Sequence, residues 1–188
     1  MINNKIGCAV IGYGGMGSWH AKKIKEEMGE YAEVVGVFDI NPERKNLADE
    51  RGVHFFSSRE ELLSDERIDL VTIATPNDVH KEIAIDAMRH GKNVISEKPV
   101  TICTADLEEM IACAKETGKL FTVHQNRRWD EDYLTMKSFL MRTLSAEFSD
   151  LSPVFRAQEV CRATGEISLS TAAVWFMTGV FICSTRLL

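Results

Sequence analysis

Residues 5–17, KIGCAVIGYGGMG, decide the fold of this chain. The first half is an almost unbroken apolar run that ends at Ile11, which is typical of a parallel strand buried on both faces. Gly12, Gly14 and Gly17 follow with the spacing G-x-G-x-x-G, and an amphipathic helical pattern begins directly behind them. A strand, a glycine-rich turn and a helix in this order predict a βαβ unit whose turn receives the pyrophosphate of a dinucleotide.

Each glycine of this loop has its own physical reason. Gly12 permits a tight turn, Gly14 lets the backbone approach the pyrophosphate, and Gly17 lets helix and strand pack closely. The N-terminus of the helix then points at the phosphates. A turn that serves only the packing of strand and helix is the alternative interpretation. The predicted cofactor-binding loop comprises Gly12, Tyr13, Gly14, Gly15, Met16 and Gly17.

The end of the second predicted strand carries an acidic residue, Asp39, 22 residues after Gly17. A carboxylate there accepts hydrogen bonds from both hydroxyls of the adenosine ribose and repels a 2′-phosphate, which favours NAD over NADP. Two alternatives stay open. Asp39 can instead cap the next helix, although Asn41 already offers a cap, and Arg44 nearby leaves NADP possible.

Strand and helix patterns alternate along the rest of this region. Strands are predicted at residues 5–11, 33–38, 53–56, 69–74, 93–96 and 120–124, and helices at 16–28, 41–51, from Ser57 or Ser58 to 63, 78–90 and 106–117. The alternation predicts an α/β fold with a Rossmann doubly wound parallel sheet, and we assign residues 1–125 to a dinucleotide-binding domain. Beyond about Lys137 neither period persists.

Three polar segments follow predicted strands and therefore meet at the edge where α/β sheets bind ligands: residues 74–77, 97–99 and 124–127. Lys98 precedes a proline, which holds its backbone extended. Beside a nicotinamide, its side chain can hydrogen-bond a reacting hydroxyl and lower the cost of deprotonating it, so Lys98 is the predicted catalytic residue. The alternative is a surface lysine that follows a strand.

The other candidates at this edge are assigned by their position. His80 is also compatible with a structural role on its helix, and His20 on the first helix is interpreted as a packing residue. The residues assigned to the cofactor are Ala74, Thr75, Pro76, Asn77, His80, Glu97 and Lys98, and those assigned to the substrate are Lys98, Asn126 and Arg127.

Composition narrows the class of protein. Hydrophobic residues make up 45% and charged residues 27%, an ordinary soluble globular balance. The net charge of −6 disfavours nucleic acid and anionic membrane surfaces as partners. The five cysteines have neither metal-site nor disulfide spacing, which indicates core residues of a cytoplasmic protein and no metal site. The N-terminal apolar run is a first strand, because it is too short for a signal peptide.

Three stretches resemble the Gfo/Idh/MocA family of glucose–fructose oxidoreductase and inositol dehydrogenases: AVIGYGGMGSWHA (9–21), ATPNDVHKEIAIDAMRHGKNVISEKPV (74–100) and VHQNRRWDEDY (123–133). The resemblance spans about residues 5–137. It implies NAD(P)-dependent oxidation of a sugar, inositol or polyol hydroxyl to a ketone. It also implies a dinucleotide role for Gly12, Gly14, Gly17 and Asp39, and a catalytic or substrate-binding role for Lys98.

The resemblance further implies a second α/β domain whose sheet binds substrate and supports homo-oligomers. A helix of that domain carries the pattern D-x-G-x-H-x-x-D, which supplies an aspartate and a histidine acid/base. This pattern is absent, since the last histidine of the chain is His124. Residues 126–188 are therefore interpreted as a truncated, irregular remnant of the second domain, and catalysis by the chain as written is expected to be impaired.

A shifted reading frame would account for the missing pattern. In this frame each new codon consists of the third base of one residue's codon and the first two bases of the next residue's codon. Residues 170–186 can then read YGGGMVYDWGVHLLDQ, and residues 159–166 can read GVPGDWR. We therefore hypothesise a frameshift, in the gene or its sequencing, near residues 137–140. A membrane anchor over the uncharged residues 168–185 is the alternative for this segment. The alternative function is a non-catalytic dinucleotide-binding module or regulatory subunit.

Overall fold

The computed structural model describes residues 5–143 of the chain, with side chains through residue 138. The chain divides into two units between His124 and Gln125. The strands are β1 (Ile6–Ile11), β2 (Ala32–Phe38), β3 (Leu70–Ile73), β4 (Asn93–Ser96) and β5 (Phe121–Val123). The helices are α1 (Gly15–Glu27), α2 (Arg44–Glu50), α3 (Arg59–Ser64), α4 (His80–Arg89), α5 (Thr104–Thr117) and α6 (Glu131–Thr143), with 3₁₀ turns at Asn77–Val79 and Asn126–Trp129.

All five strands pair in parallel in the order β2-β1-β3-β4-β5. The direction in which the chain adds strands reverses between β1 and β3. This reversal opens a crevice at the carboxyl ends of these two strands, where α/β folds bind ligands. The amide of Ala74 after β3 donates to the carbonyl of Ile11 at 2.8 Å, so the segments that follow both strands start side by side. The predicted Rossmann α/β fold is confirmed.

Helices cover both faces of the sheet, which explains why β1 is apolar at successive positions. Ala9 and Ile11 belong to a core cluster with residues of α3, α4 and α5. Val10, between them, packs on the opposite face with Ala21 of α1 and Ala48 of α2. Burial on both faces removes the alternation of apolar and polar residues that a half-exposed strand shows.

The prediction of a strand at residues 53–56 is wrong. These residues form one isolated parallel bridge, Val37 to Phe55, rather than a ladder. The segment is too short because Ser58 already caps α3, its hydroxyl accepting the amide of Glu61 at 3.1 Å. The second predicted helix starts late for a similar reason: the Asn41 side chain accepts the amide of Glu43 at 3.0 Å within a turn that precedes α2.

Two further expectations need correction. Cys103 is exposed before α5, whereas Cys8 and Cys113 are buried as expected. Helix α6 continues to Thr143, past the point near Lys137 where the sequence pattern ends. Within residues 5–143, no helix is long and apolar enough to cross a membrane. The segments that can be read in a shifted frame, residues 159–166 and 170–186, and the anchor alternative at residues 168–185 lie outside the described residues, and the domain boundary at residue 125 stays a prediction.

Candidate functional site

The packing of the fold requires glycine at two of the three loop positions, whereas the space around the third position is open. Gly12 has φ = +93°, and a Cβ placed on it lies 2.7 Å from the carbonyl carbon and oxygen of Ala74. A Cβ on Gly17 lies 1.8 Å from the carbonyl oxygen of Gly12. By contrast, a Cβ on Gly14 has no atom of the described chain within 4 Å. Gly12 and Gly17 therefore permit close packing, while the open side of Gly14 leaves room for a ligand.

Helix α1 begins directly at this loop and presents its N-terminus there. Gly14 is the N-cap residue and provides no side-chain cap, and the first turn carries no acidic residue. The first amides of a helix lack intrahelical acceptors, and the helix dipole adds partial positive charge at this end. The loop and α1 together therefore offer amide donors and open space to an anionic group such as a pyrophosphate.

Asp39 lies at the end of β2, and the backbone holds both of its oxygens. The amide of Tyr13 donates to Oδ2 at 2.6 Å, and the amide of Asn41 donates to Oδ1 at 2.8 Å. The carboxylate is half-buried and is fixed against the glycine loop. Because α2 begins only at Arg44, Asp39 stabilises the preceding turn rather than capping this helix. These contacts leave the carboxylate additional acceptor capacity for a ligand.

The other members of the predicted loop differ in their solvent exposure. The Tyr13 side chain is 0% exposed, packs with Val10 and Val37, and its hydroxyl has no hydrogen-bond partner among the described residues. Tyr13 can therefore contact a cofactor only through its backbone. Gly15 and Met16 are exposed at the start of α1.

His80 joins the end of β3 to the end of β4. It is 1% exposed; its Nε2 donates to the carbonyl of Thr75 at 2.8 Å, and its Nδ1 lies 3.2 Å from the Ser96 hydroxyl. These contacts support the structural role that the sequence left open, because both ring nitrogens are occupied within the protein. The Thr75 hydroxyl is buried without a partner in the described part of the chain, and Pro76 and Asn77 are exposed.

Glu97 is the centre of a buried polar cluster at the end of β4. Its carboxylate is 5% exposed, and Oε1 accepts from His20 Nε2 at 2.8 Å and from His124 Nδ1 at 3.0 Å. Its second oxygen, Oε2, accepts the amide of Lys98 at 3.2 Å. The two imidazole rings are in edge contact at 4.6 Å, and the Trp19 ring lies 5.1 Å from His20.

The electrostatics of this cluster favour an ionised carboxylate. Burial raises the pKa of Glu97, but the hydrogen bond from His20, the electrostatic interaction with His124 and the Lys98 amide outweigh it. The pKa of Glu97 therefore lies below its ordinary value. Lys98 itself is exposed on the turn after β4, and its peptide bond to Pro99 is cis.

The predicted substrate residues Asn126 and Arg127 belong to the second unit, in the 3₁₀ turn Asn126–Trp129. Asn126 is half-buried and Arg127 is exposed. Arg127 Nη1 donates to Asp130 Oδ2 at 2.8 Å, and this hydrogen bond raises the pKa of the guanidinium. Their role toward a substrate stays a prediction.

Sequence reasoning missed the cluster around Glu97. It interpreted His20 as a packing residue, and it placed residues 97–99 and 124–127 at the same edge without pairing Glu97 with His124. His124 follows β5, next to β4 in the sheet, so its position at the same edge was a usable signal. His20 gave no such signal, because 77 residues separate it from Glu97 and its partner depends on how α1 packs.

Comparisons with known proteins identify the family of this chain. The model of the Gfo/Idh/MocA oxidoreductase family, NAD-binding Rossmann fold, matches residues 6–125, more than half of the chain. The solved structure of an NAD-binding protein from Listeria innocua is 45% identical, with a TM-score of 0.72 over 76% of this chain and 42% of that one.

Two curated relatives are similar over the same region. The uncharacterized oxidoreductase YdgJ of Escherichia coli (strain K12) is 36% identical over 78% of this chain and 42% of that protein. The scyllo-inositol 2-dehydrogenase (NADP(+)) IolW of Bacillus subtilis (strain 168) is 33% identical over 70% of this chain and 36% of that protein. The matches thus span about two fifths of the length of these relatives. The chain belongs to the Gfo/Idh/MocA family of oxidoreductases, whose Rossmann fold binds NAD.

Proposed function

We propose that this chain carries the NAD site of an oxidoreductase that moves a hydride between a sugar or inositol-like hydroxyl and nicotinamide. The observation that supports it best is the juxtaposition at the crevice: the open side of Gly14, the N-terminus of α1 and the Asp39 carboxylate 2.6 Å from the Tyr13 amide. The loop amides and α1 would hold the pyrophosphate, and Asp39 would accept hydrogen bonds from the adenosine ribose.

In this proposal Lys98 is the residue that acts on the substrate. NAD, when bound, supplies the hydride acceptor. The Lys98 ammonium donates a hydrogen bond to the reacting hydroxyl oxygen and stabilises the negative charge that develops there as the proton passes to a base, the role that the family resemblance gives to a histidine of the second domain. Its exposure on the turn after β4, at the carboxyl edge of the sheet, is compatible with that role. Asn126 and Arg127, in the second unit, are proposed as substrate-binding residues.

The cofactor part is tested by titrating the full chain with NAD and with NADP, following tryptophan fluorescence or heat. We expect NAD to bind more tightly, because the Asp39 carboxylate repels a 2′-phosphate. The matched variant is Asp39→Asn, which removes the charge and keeps one carbonyl oxygen for the Tyr13 amide. It should bring the two affinities to within about threefold of each other. No binding of either nucleotide, or equal affinities in the unmodified chain, would contradict the proposal.

A non-catalytic dinucleotide-binding module is the second candidate function. It is supported by the site itself, because the glycine loop, α1 and Asp39 suffice to bind a dinucleotide without catalysis; residues 1–188 as given carry no D-x-G-x-H-x-x-D acid/base pattern. Because that pattern is absent, we propose that the chain as written turns over little or no polyol. Lys98→Ala decides between catalysis and sensing: it should leave NAD affinity within about threefold and abolish any polyol-dependent NADH formation that the unmodified chain shows.

Three further proposals concern the partners, the location and the assembly of the protein. The net charge of −6 favours a small-molecule partner over nucleic acid, and the cysteine usage favours the cytoplasm. Homo-oligomers are proposed for the intact enzyme, since the second domain of the family supports them.

A further inference from the structure

The Glu97 side chain, which follows β4, contacts a residue of α1, a residue that follows β5 and the main chain of Lys98, the residue proposed for catalysis. His20 lies on α1, directly behind the glycine loop; Glu97 follows β4; and His124 follows β5. Both histidines donate to Oε1, at 2.8 and 3.0 Å, while Oε2 accepts the Lys98 amide at 3.2 Å. A single carboxylate thus connects the helix of the glycine loop with the main chain of Lys98.

The Glu97 carboxylate determines which ring nitrogens of the two histidines carry a proton. An ionised carboxylate only accepts hydrogen bonds, so His20 must carry a proton on Nε2 and His124 on Nδ1. A carboxylate that is 5% exposed needs these donors, because an unpaired buried charge is strongly unfavourable. The two rings thereby fix where Glu97 lies, and Glu97 fixes the amide of the next residue.

We propose that Glu97 is a positioning residue for Lys98, held in place by His20 and His124. The inference rests on the proposed function, since it assigns the cluster to the presentation of Lys98 at the carboxyl edge of the sheet. The cluster keeps the turn after β4 at a fixed distance from the start of α1, where the cofactor phosphates are proposed to lie.

The same three side chains are also metal-ligand types, and their ligand atoms lie within 4.8 Å of one another. However, both histidine nitrogens approach one shared oxygen at hydrogen-bond distances, so the contacts are satisfied with protons in place. A metal ion would have to displace both protons. Zinc binding at these three side chains would therefore overturn the proposal.

The experiment follows the Lys98 amide by ¹H–¹⁵N NMR in the labelled full chain without cofactor. Glu97→Gln should move this signal and speed its hydrogen exchange about tenfold, because the charged acceptor is lost. Glu108→Gln, the same charge change on an exposed residue of α5, should leave both unchanged. This NMR measurement does not require NAD. An NAD titration without binding and a Lys98 amide that is unaffected by Glu97→Gln are therefore distinguishable results.

Paired substitutions at the histidines separate positioning from mere packing. His20→Gln and His124→Asn place an amide N–H near Nε2 and Nδ1, respectively, whereas leucine at either position removes the donor. The leucine variants should speed Lys98 amide exchange about tenfold, and the amide variants should restore it. If Glu97→Gln does not fold, the pair at His124, which lies at the rim of the cluster, decides the question.

Three results would overturn the proposal. One is an unchanged Lys98 amide in the folded leucine variants. The second is an amide variant that behaves like its leucine counterpart. The third is stoichiometric binding of Zn²⁺ that shifts the ring signals of both histidines and is lost in Glu97→Gln.

Discussion

The same substitution, glycine to alanine, is expected to have opposite effects at Gly17 and Gly14. A Cβ on Gly17 would lie 1.8 Å from the carbonyl oxygen of Gly12, a backbone atom that cannot rotate away. Overpacking of this kind costs about 3 kcal/mol, and the better helix propensity of alanine returns about 1 kcal/mol. The net loss of about 2 kcal/mol corresponds to a Tm lower by about 4–8 °C for a domain of this size.

Gly14→Ala should leave folding intact. The residue has φ = −81° and ψ = −153°, which any L-residue adopts, and no described atom lies within 4 Å of its Cβ position. The free energy of unfolding should therefore change by less than about 0.5 kcal/mol. NAD affinity should nevertheless fall about tenfold or more, because the methyl group occupies the approach of the pyrophosphate.

The assay combines thermal unfolding followed by circular dichroism with an NAD titration of each variant. The expected pattern is a lower Tm for Gly17→Ala and a weaker NAD affinity at unchanged Tm for Gly14→Ala. The reasoning is refuted if Gly17→Ala melts like the unmodified chain. It is equally refuted if Gly14→Ala binds NAD as tightly as the unmodified chain does.

Four further predictions follow from other parts of the chain. Folding lowers the pKa of Glu97, so the contribution of its carboxylate to stability is present above the unfolded pKa and is lost as the pH falls through the folded pKa. The urea midpoint of unfolding should therefore change less with acidic pH in Glu97→Gln than in the unmodified chain, and Glu108→Gln should keep the pH dependence of the unmodified chain. Ser58→Ala should lower the free energy of unfolding by about 1 kcal/mol, measured by urea denaturation, because α3 loses its cap. Burial raises the pKa of Cys8 to about 11, so at pH 8 a thiol reagent should label the exposed Cys103 and leave Cys8 unlabelled in the folded chain, as peptide mass spectrometry would report. Resequencing the DNA across codons 130 to 188 should reveal a one- or two-base discrepancy, and an intact frame would remove the frameshift hypothesis.

The order of strands and helices could be predicted because each element leaves a local trace. The apolar run before Gly12, the proline after Asn41 and the Ser58 cap each depend on neighbours within a few residues. The prediction of a strand at residues 53–56 was wrong because a strand here depends on pairing with β2, and that pairing is limited to the single bridge between Val37 and Phe55. Local patterns carry no information on such a contact.

The candidate site divides in the same way. Gly14 and Asp39 could be identified from spacing, since the turn after a strand and the end of the next strand meet by topology alone. His20 could not be identified as a partner of Glu97, because it reaches Glu97 only through the packing of α1 against the sheet, whereas His124 follows the neighbouring strand β5. The burial of the Tyr13 ring in the core could not be predicted either, because the position of Tyr13 in the loop does not indicate which way its side chain packs.

The bond between Asp39 and the Tyr13 amide has a consequence for engineering the coenzyme preference. The obvious design for accepting a 2′-phosphate replaces the acidic residue with a small one such as alanine. Here that change would also leave the amides of Tyr13 and Asn41 without the acceptors they have at 2.6 and 2.8 Å. A redesign of this position should therefore keep a short oxygen-bearing side chain, serine or asparagine, so that at least the Tyr13 amide of the glycine loop retains an acceptor.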